Sequence, residues 1–161
     1  MEENLVPKTV AQSRTEQIQI LMPEHINGYK RLFGGRLMEW IDVVAAVTAR
    51  RHSNRNVTTV AVDHLEFRAP AHVNSTIVLI GQLTYVGRTS MEVRVDTFVE
   101  ELSGERSLIN RAYLIMVALD DGDRPTPVPP LVRETLEEVK EWAAGEQRAA
   151  ARKKAISERD G

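Results

Sequence analysis

From Phe33 to Arg51 the apolar residues recur at helical spacing. Leu37, Ile41, Val44 or Ala45, and Thr48 form a stripe wide enough to face a core, which predicts one long helix. Gly34 and Gly35 let the backbone enter it without a Cβ in the way, and Arg50-Arg51 suit the negative end of its dipole. Elsewhere the period is mostly two. Ile18, Ile20 and Met22 alternate with polar residues and end at Pro23, a first strand with one wet face. Residues 24–32 read as an irregular loop that delivers the chain to the helix. After it, Ser53-Asn54-Arg55-Asn56 is turn chemistry.

Four strand-like stretches follow. Val57 to Phe67 changes phase between Val62 and Leu65, which predicts a bulge or bend, and Pro70 closes it. Asn74 marks a tight turn that asks for positive φ. Thr76 to Tyr85 and Met91 to Val99 flank the turn Gly87-Arg88-Thr89-Ser90. Leu108 to Leu119 is apolar on both faces and so belongs at the centre of a sheet or under cover on both sides. A proline-rich, acidic segment, residues 120–130, closes this unit.

Leu131 to about Ile156 predicts a second helix, with Leu131, Thr135, Leu136, Val139, Trp142 and Ala143 on its apolar side. Its early acids (Glu134, Glu137, Glu138) and late bases (Arg148, Arg152, Lys153, Lys154) match the macrodipole, and fraying is expected beyond Gly145. The expected order is a flexible arm over 1–15, one α+β domain over 16–130, and a C-terminal helix and tail over 131–161. Successive strands with short turns favour an antiparallel sheet wrapped on the long helix, and a leftover sheet edge predicts self-association.

Composition changes this picture little. The 161 residues carry 42% apolar and 27% charged side chains, ordinary for a globular protein, and a formal charge of -2 argues against nucleic acid as the main partner. There is no cysteine, which removes disulfides, thiolate nucleophiles and cysteine-ligated zinc, and fits a reducing compartment. No signal peptide or membrane-length apolar run is visible, so a cytoplasmic protein without a membrane partner is expected. His25, His52, His64 and His72 show no metal-ligand spacing, and no metal or resident cofactor is expected.

One side chain breaks the helix pattern. Asp42 falls beside Met38, Ala45 and Ala46, with no cationic neighbour one turn away. Burial there would favour its protonated form; otherwise it is an aspartate at the stripe's edge that reaches water.

The run Met22-Pro23, Asn27, Leu32-Phe33-Gly34-Gly35, Leu37-Met38 and Trp40-Ile41-Asp42 resembles the signature of hotdog-fold acyl-CoA thioesterases. The resemblance is to the cytosolic acyl-CoA hydrolase group, whose bacterial members are single hotdogs. Val57-Thr58-Thr59-Val60-Ala61-Val62-Asp63, Gly87-Arg88-Thr89-Ser90-Met91-Glu92-Val93 and Leu131-Val132-Arg133-Glu134-Thr135 agree in order, so the match spans roughly residues 14 to 145. It departs at Lys30 and Asn74, where relatives commonly carry glycine.

The resemblance implies a hotdog fold, a long helix wrapped by a curved antiparallel sheet, and hydrolysis of acyl-CoA to fatty acid and CoA between two protomers. It implies that Asn27 and Asp42 carry the chemistry, meeting across the interface, and that relatives assemble as trimers of dimers. On this basis Asp42 is the expected general base for water, or alternatively a nucleophile through an acyl anhydride. Gly35, at the helix N-terminus, is the expected oxyanion donor, and Asn27 fixes the water or the thioester. Thr59 matches a channel-lining position. Gly87, Arg88, Thr89 and Ser90 offer amides, hydroxyls and a guanidinium to the pantetheine arm and diphosphate of CoA; Arg55, Arg68 and Arg111 are lone surface arginines, which usually meet no phosphate. The competing functions are an acyl-CoA-binding sensor without catalysis and a hotdog dehydratase. A dehydratase would want a histidine paired with an acid, and only His25 lies near the loop.

Overall fold

The computed structural model describes residues 5–161. In chain order the elements are β1 (Lys8–Thr9), α1 (Val10–Ser13), β2 (Thr15–Ile20), α2 (Gly34–Ser53), β3 (Asn56–Phe67), β4 (Thr76–Val86), β5 (Ser90–Glu100), β6 (Arg106–Leu119), β7 (Leu131–Val132) and α3 (Leu136–Asp160). Five strands form one antiparallel sheet in the order β2-β4-β5-β6-β3, and β1 pairs with β7 in a small parallel ribbon.

α2 lies on the inner face of the sheet. Leu37, Ile41, Val44, Ala45, Thr48 and Ala49 are buried there against Leu79, Val93, Leu114 and Met116. The helix stops because Asn54 takes a left-handed conformation (φ 55°) and its N–H reaches the Arg50 carbonyl, the cap that asparagine tolerates. Gly81 on β4 has no room for a Cβ, which would come within 2.7 Å of Val44 Cγ1, so glycine sets how closely helix and sheet approach. Asn74 has φ 70°, as its turn requires. β3 slips register between Thr59 and Ala61 as well as between Val62 and His64, so the strand bends twice rather than once.

Three expectations need correction. The arm is not loose throughout: residues 8–13 form β1 and a capped helical turn, with Thr9 and Gln12 bonding each other's backbone amides. Residues 1–4 lie outside the described residues. The second helix begins at Leu136, because Thr135 is its N-cap and Leu131 is buried in β7 instead. It runs unbroken past Gly145 to Asp160.

The face of α3 that meets the sheet is also not the expected one. Leu136 and Val139 are exposed, and the helix sits on the outer face of the sheet through Trp142, Gly145, Arg148 and Arg152. A Cβ at Gly145 would come within 2.7 Å of Tyr85 Cβ. Beneath the helix Glu92, 1% exposed, accepts from Arg148 through both oxygens (2.7 and 3.0 Å) and from Thr84 Oγ1 (2.6 Å). That bidentate pairing holds the Arg148 guanidinium above its usual pKa. Asp96 takes a similar fork from Arg111.

His52, at the end of α2, is fully buried. Its Nε2 faces the Pro129 carbonyl at 2.8 Å, and a carbonyl only accepts, so Nε2 carries the proton. Nδ1 is then the bare nitrogen and has no hydrogen-bond partner among the described residues. Burial lowers the pKa of this histidine, the Pro129 bond raises it in part, and Lys8 lowers it further.

Candidate active site

Asp42 leaves α2 on the side toward β3. It is exposed on the single chain, so its own subunit does not desolvate it as its place in the helix suggested. Its partner comes from the sheet: Thr59 Oγ1 donates to Asp42 Oδ1 at 2.6 Å, and the same hydroxyl lies 3.3 Å from Met116 Sδ. The bond fixes the orientation of the carboxylate, a contact that the channel-lining expectation for Thr59 does not include. The contact joins residues 17 apart through tertiary packing, and no local pattern reports it.

Asn27 sits in a different place. Its backbone N–H donates to the Arg31 carbonyl (2.8 Å) and its carbonyl accepts from Lys30 N–H (3.0 Å). Its Oδ1 accepts from the N–H groups of Tyr29 (2.9 Å) and Arg31 (3.3 Å). The side-chain oxygen is thereby committed to shaping the loop, and the amide NH2 is the group left to face a ligand. Lys30 completes the turn at φ 60°, a strained conformation that a glycine would relieve. Asn27 lines a cleft of about 330 Å³ whose walls include Leu32, Leu37, Phe67, Ala71 and Ile109, a mainly apolar trough with the amide at one side.

Gly35 lies in the first turn of α2, two residues before Leu37 of the cleft wall. The first intrahelical bond runs from Leu37 N–H to the Phe33 carbonyl, so the helix offers no acceptor to the amides of Gly34, Gly35 and Arg36. A Cβ on Gly35 would come within 2.7 Å of Phe33 Cε1, so glycine lets that ring lie across the helix entry. Gly34 is likewise near Phe67, at the end of β3. From Gly34 to Asp42 is eight residues of helix, about 12 Å. The Asp42–Thr59 pair and the glycine entry of α2 therefore lie apart along the helix on one chain.

The β4–β5 turn lies on the Asp42 side. Ser90 pairs with Val117, which pairs with Thr58, so the turn is two strand spacings, about 10 Å, from the Thr59 end of β3. Gly87 N–H donates to the Ser90 carbonyl, while the Arg88 and Thr89 carbonyls accept from Val128 and Ala118. Those bonds fix the turn and leave the Arg88 side chain outside. Beside it opens a cleft of about 440 Å³ that also takes in Val128, Arg133 and Trp142, with the Arg133 guanidinium 4.0 Å above the Trp142 ring. The expectation of a helix from Leu131 gives Arg133 and Trp142 no part in such a cleft. Of the lone arginines, Arg111 is engaged with Asp96, and Arg68 lies 3.4 Å from Glu66.

β3 is an edge of the sheet, twelve residues long, and Val60, Val62, Leu65 and Phe67 are exposed on it, with Val43 of α2 beside them. An apolar, unpaired edge of this length is a surface to be covered. Among the described residues, no cluster of side chains could hold a metal ion, and no helix is long and apolar enough to cross a membrane.

Residues 29–103 match the Thioesterase superfamily. The chain is 38% identical over 143 residues, 88% of its length and 83% of the relative's, to the uncharacterized acyl-CoA thioester hydrolase YkhA of Bacillus subtilis. It is 32% identical to the human cytosolic acyl coenzyme A thioester hydrolase, of which it spans 39%. Its structure superimposes on an apo-hexameric acyl-CoA thioesterase with a TM-score of 0.90 at 37% identity, covering 94% of this chain and 98% of that one. It also superimposes on the acyl-CoA hydrolase of Staphylococcus aureus in complex with butyryl coenzyme A and coenzyme A, with a TM-score of 0.89 at 30% identity, over 95% and 94% of the two chains. Variants of the S. aureus enzyme with an aspartate, an asparagine or a threonine changed to alanine are similar to the same degree. A long helix on a five-stranded antiparallel sheet, an outer C-terminal helix and these identities together place the chain in the hotdog-fold acyl-CoA thioesterases, among the single-hotdog bacterial acyl-CoA hydrolases.

Proposed function

We propose that this acyl-CoA thioester hydrolase works as a dimer that pairs the two β3 edges antiparallel, each active site taking Asp42 and Thr59 from one protomer and Asn27 and Gly35 from its partner. Matching the Thr59 level of one strand with the Phe67 level of the other centres the pair near Asp63 and carries the Asn27 loop toward Asp42. The same pairing covers Val60, Val62 and Leu65. It also supplies the desolvation that a single chain does not give the carboxylate.

In this site Asp42, held through Oδ1 by Thr59, takes a proton from water with its other oxygen, and the water attacks the thioester carbonyl. The carbonyl electrons move to oxygen, where the Asn27 NH2 and the Gly35 N–H donate to the oxyanion. When the carbonyl re-forms, the C–S bond breaks with its electrons on sulfur. The proton on Asp42 passes to that thiolate, leaving CoA and a free carboxylic acid. The Gly87–Ser90 turn, with Arg88 outside, receives the pantetheine arm and diphosphate, and the trough beside Asn27 takes the acyl group.

The observation that carries this reading is the Thr59–Asp42 bond on an edge strand of the sheet, with Asn27 held by its own loop ahead of α2. The S. aureus variants add support, since the same three residue types were chosen for replacement there. Mixing subunits tests it. Asn27→Ala and Asp42→Ala proteins, each inactive alone, should regain about a quarter of the wild-type rate after co-refolding, because a two-fold heterodimer keeps one intact site. Mixtures that stay inactive while forming heterodimers would place both residues in one chain's site and defeat the composite arrangement. A wild-type protein that binds acyl-CoA without releasing CoA would leave the sensor function in its place.

A further inference from the structure

α3 crosses the outer face of the sheet step by step. Trp142 stacks on Tyr85 of β4 at 4.6 Å between ring centroids, Arg148 bonds Glu92 of β5 and lies over the ring of Tyr113 on β6, and Arg152 bonds Asp63 of β3 at 2.7 Å. Ten residues of helix rise about 15 Å, and three strand spacings make about 14 Å. The helix therefore runs nearly perpendicular to the strands and reaches the sheet's edge at Arg152. Residues 153–160 continue about 12 Å beyond it. Ile156, one turn after Arg152 on the sheet-facing side, is 51% exposed with no sheet of its own beneath it.

Beside the same helix lies an open trough of about 620 Å³, floored by His64, Glu66 and Arg111 and walled by Ala151 and Ala155. We infer that the occupant is the last two turns of α3 from a second copy of this chain, the two α3 helices packing antiparallel across the β3 seam with Ala151 and Ala155 at their contact. This rests on the β3 pairing proposed above.

The registers agree. Packed helices stand 8–10 Å apart, which is about three residues along a strand. With α3 crossing its own β3 at Asp63, its neighbour crosses at about Glu66, within the trough, and the two-fold falls between His64 and Leu65. The demand that Asn27 meet Asp42 puts the two-fold near Asp63, within about two residues of the same point. Ile156 then lies over the partner's β3 instead of water, and α3 joins the two sheets on the side opposite the active sites.

The cysteine-free chain allows a direct test. An Ala155→Cys protein treated with a short bis-maleimide, at a concentration where the dimer is the only species, should give a covalent dimer. Glu137→Cys, eighteen residues back along α3 and about 27 Å away, should not. Deleting residues 153–161 leaves every sheet contact named above and should raise the dimer dissociation constant at least about tenfold by sedimentation. A dimer that does not cross-link at position 155, or a truncated chain that loses only a higher assembly, would overturn the α3 pairing while leaving β3 pairing intact. A full-length chain that sediments as a monomer would remove both.

Discussion

Thr59 and Asp42 are 17 residues apart in the chain and 2.6 Å apart in space, hydroxyl to carboxylate, one on an edge strand and the other on the central helix. The bond selects a rotamer for the acid and leaves a single oxygen free to take a proton. Thr59→Val keeps the shape of the side chain and removes the donor. A hydrogen bond to a charged group contributes about 1.5–3 kcal/mol, so kcat should fall about 10- to 100-fold with little change in KM. Thr59→Ser should restore most of the loss in the same CoA-release assay.

Replacing the acid itself should cost more. Asp42→Asn is nearly isosteric and can still bond Thr59, but it accepts no proton. We expect kcat to fall about 10²- to 10⁴-fold, the range for a lost general base. Circular dichroism should be unchanged, and CoA should still bind by calorimetry, because Asp42 lies on the surface of its own subunit.

Acid should loosen the fold through His52. Its pKa in the folded chain lies below the ordinary 6.5, since burial disfavours the charged ring and the Lys8 charge repels it, which outweighs the Pro129 bond. The unfolded chain thus binds the proton more readily, and the stabilisation is complete above about pH 6.5 and is lost as pH falls from there toward the folded pKa. The slope from this one group can reach at most about 1.4 kcal/mol per pH unit. His52→Gln should flatten the pH dependence of the urea midpoint in that window, while any decline below it from the carboxylates should remain.

Glu92 makes α3 a stringent element. Without Arg148 the buried Glu92 keeps only the Thr84 hydroxyl and the more distant Arg152 guanidinium at 3.7 Å, so Arg148→Met should destabilise the protein by about 3 kcal/mol, the low end for a broken buried pair, in denaturant titration. Lys30→Gly should act the other way. It relieves a left-handed lysine, and after the entropy of the added glycine the gain should be about 0.5–1 kcal/mol.

Much of this architecture was legible in the chain. The α2 stripe, the β3 phase change and the positive φ at Asn74 follow from period and turn chemistry, which act between near neighbours. Glu92 shows why the rest was hidden. It alternates with Met91 and Val93 and so reads as a wet position, and only docking of α3, 56 residues later, turns it into a buried acid with Arg148 as its partner. The exposed Leu136 and Val139 mislead for the same reason, because the helix meets a charged sheet face with its arginines. Asp42, Thr59 and Asn27 could be singled out, but the Asp42–Thr59 contact needed the fold, and the proposed meeting with Asn27 needs a second copy of it.

The commitment of Asn27 Oδ1 to the Tyr29 and Arg31 amides bears on the design of inhibitors. A side chain that can only donate rewards a lone pair where the thioester oxygen sits. Ketone analogues of acyl-CoA keep that lone pair and should compete well. Thioethers, in which a methylene replaces the carbonyl, should bind through the nucleotide alone.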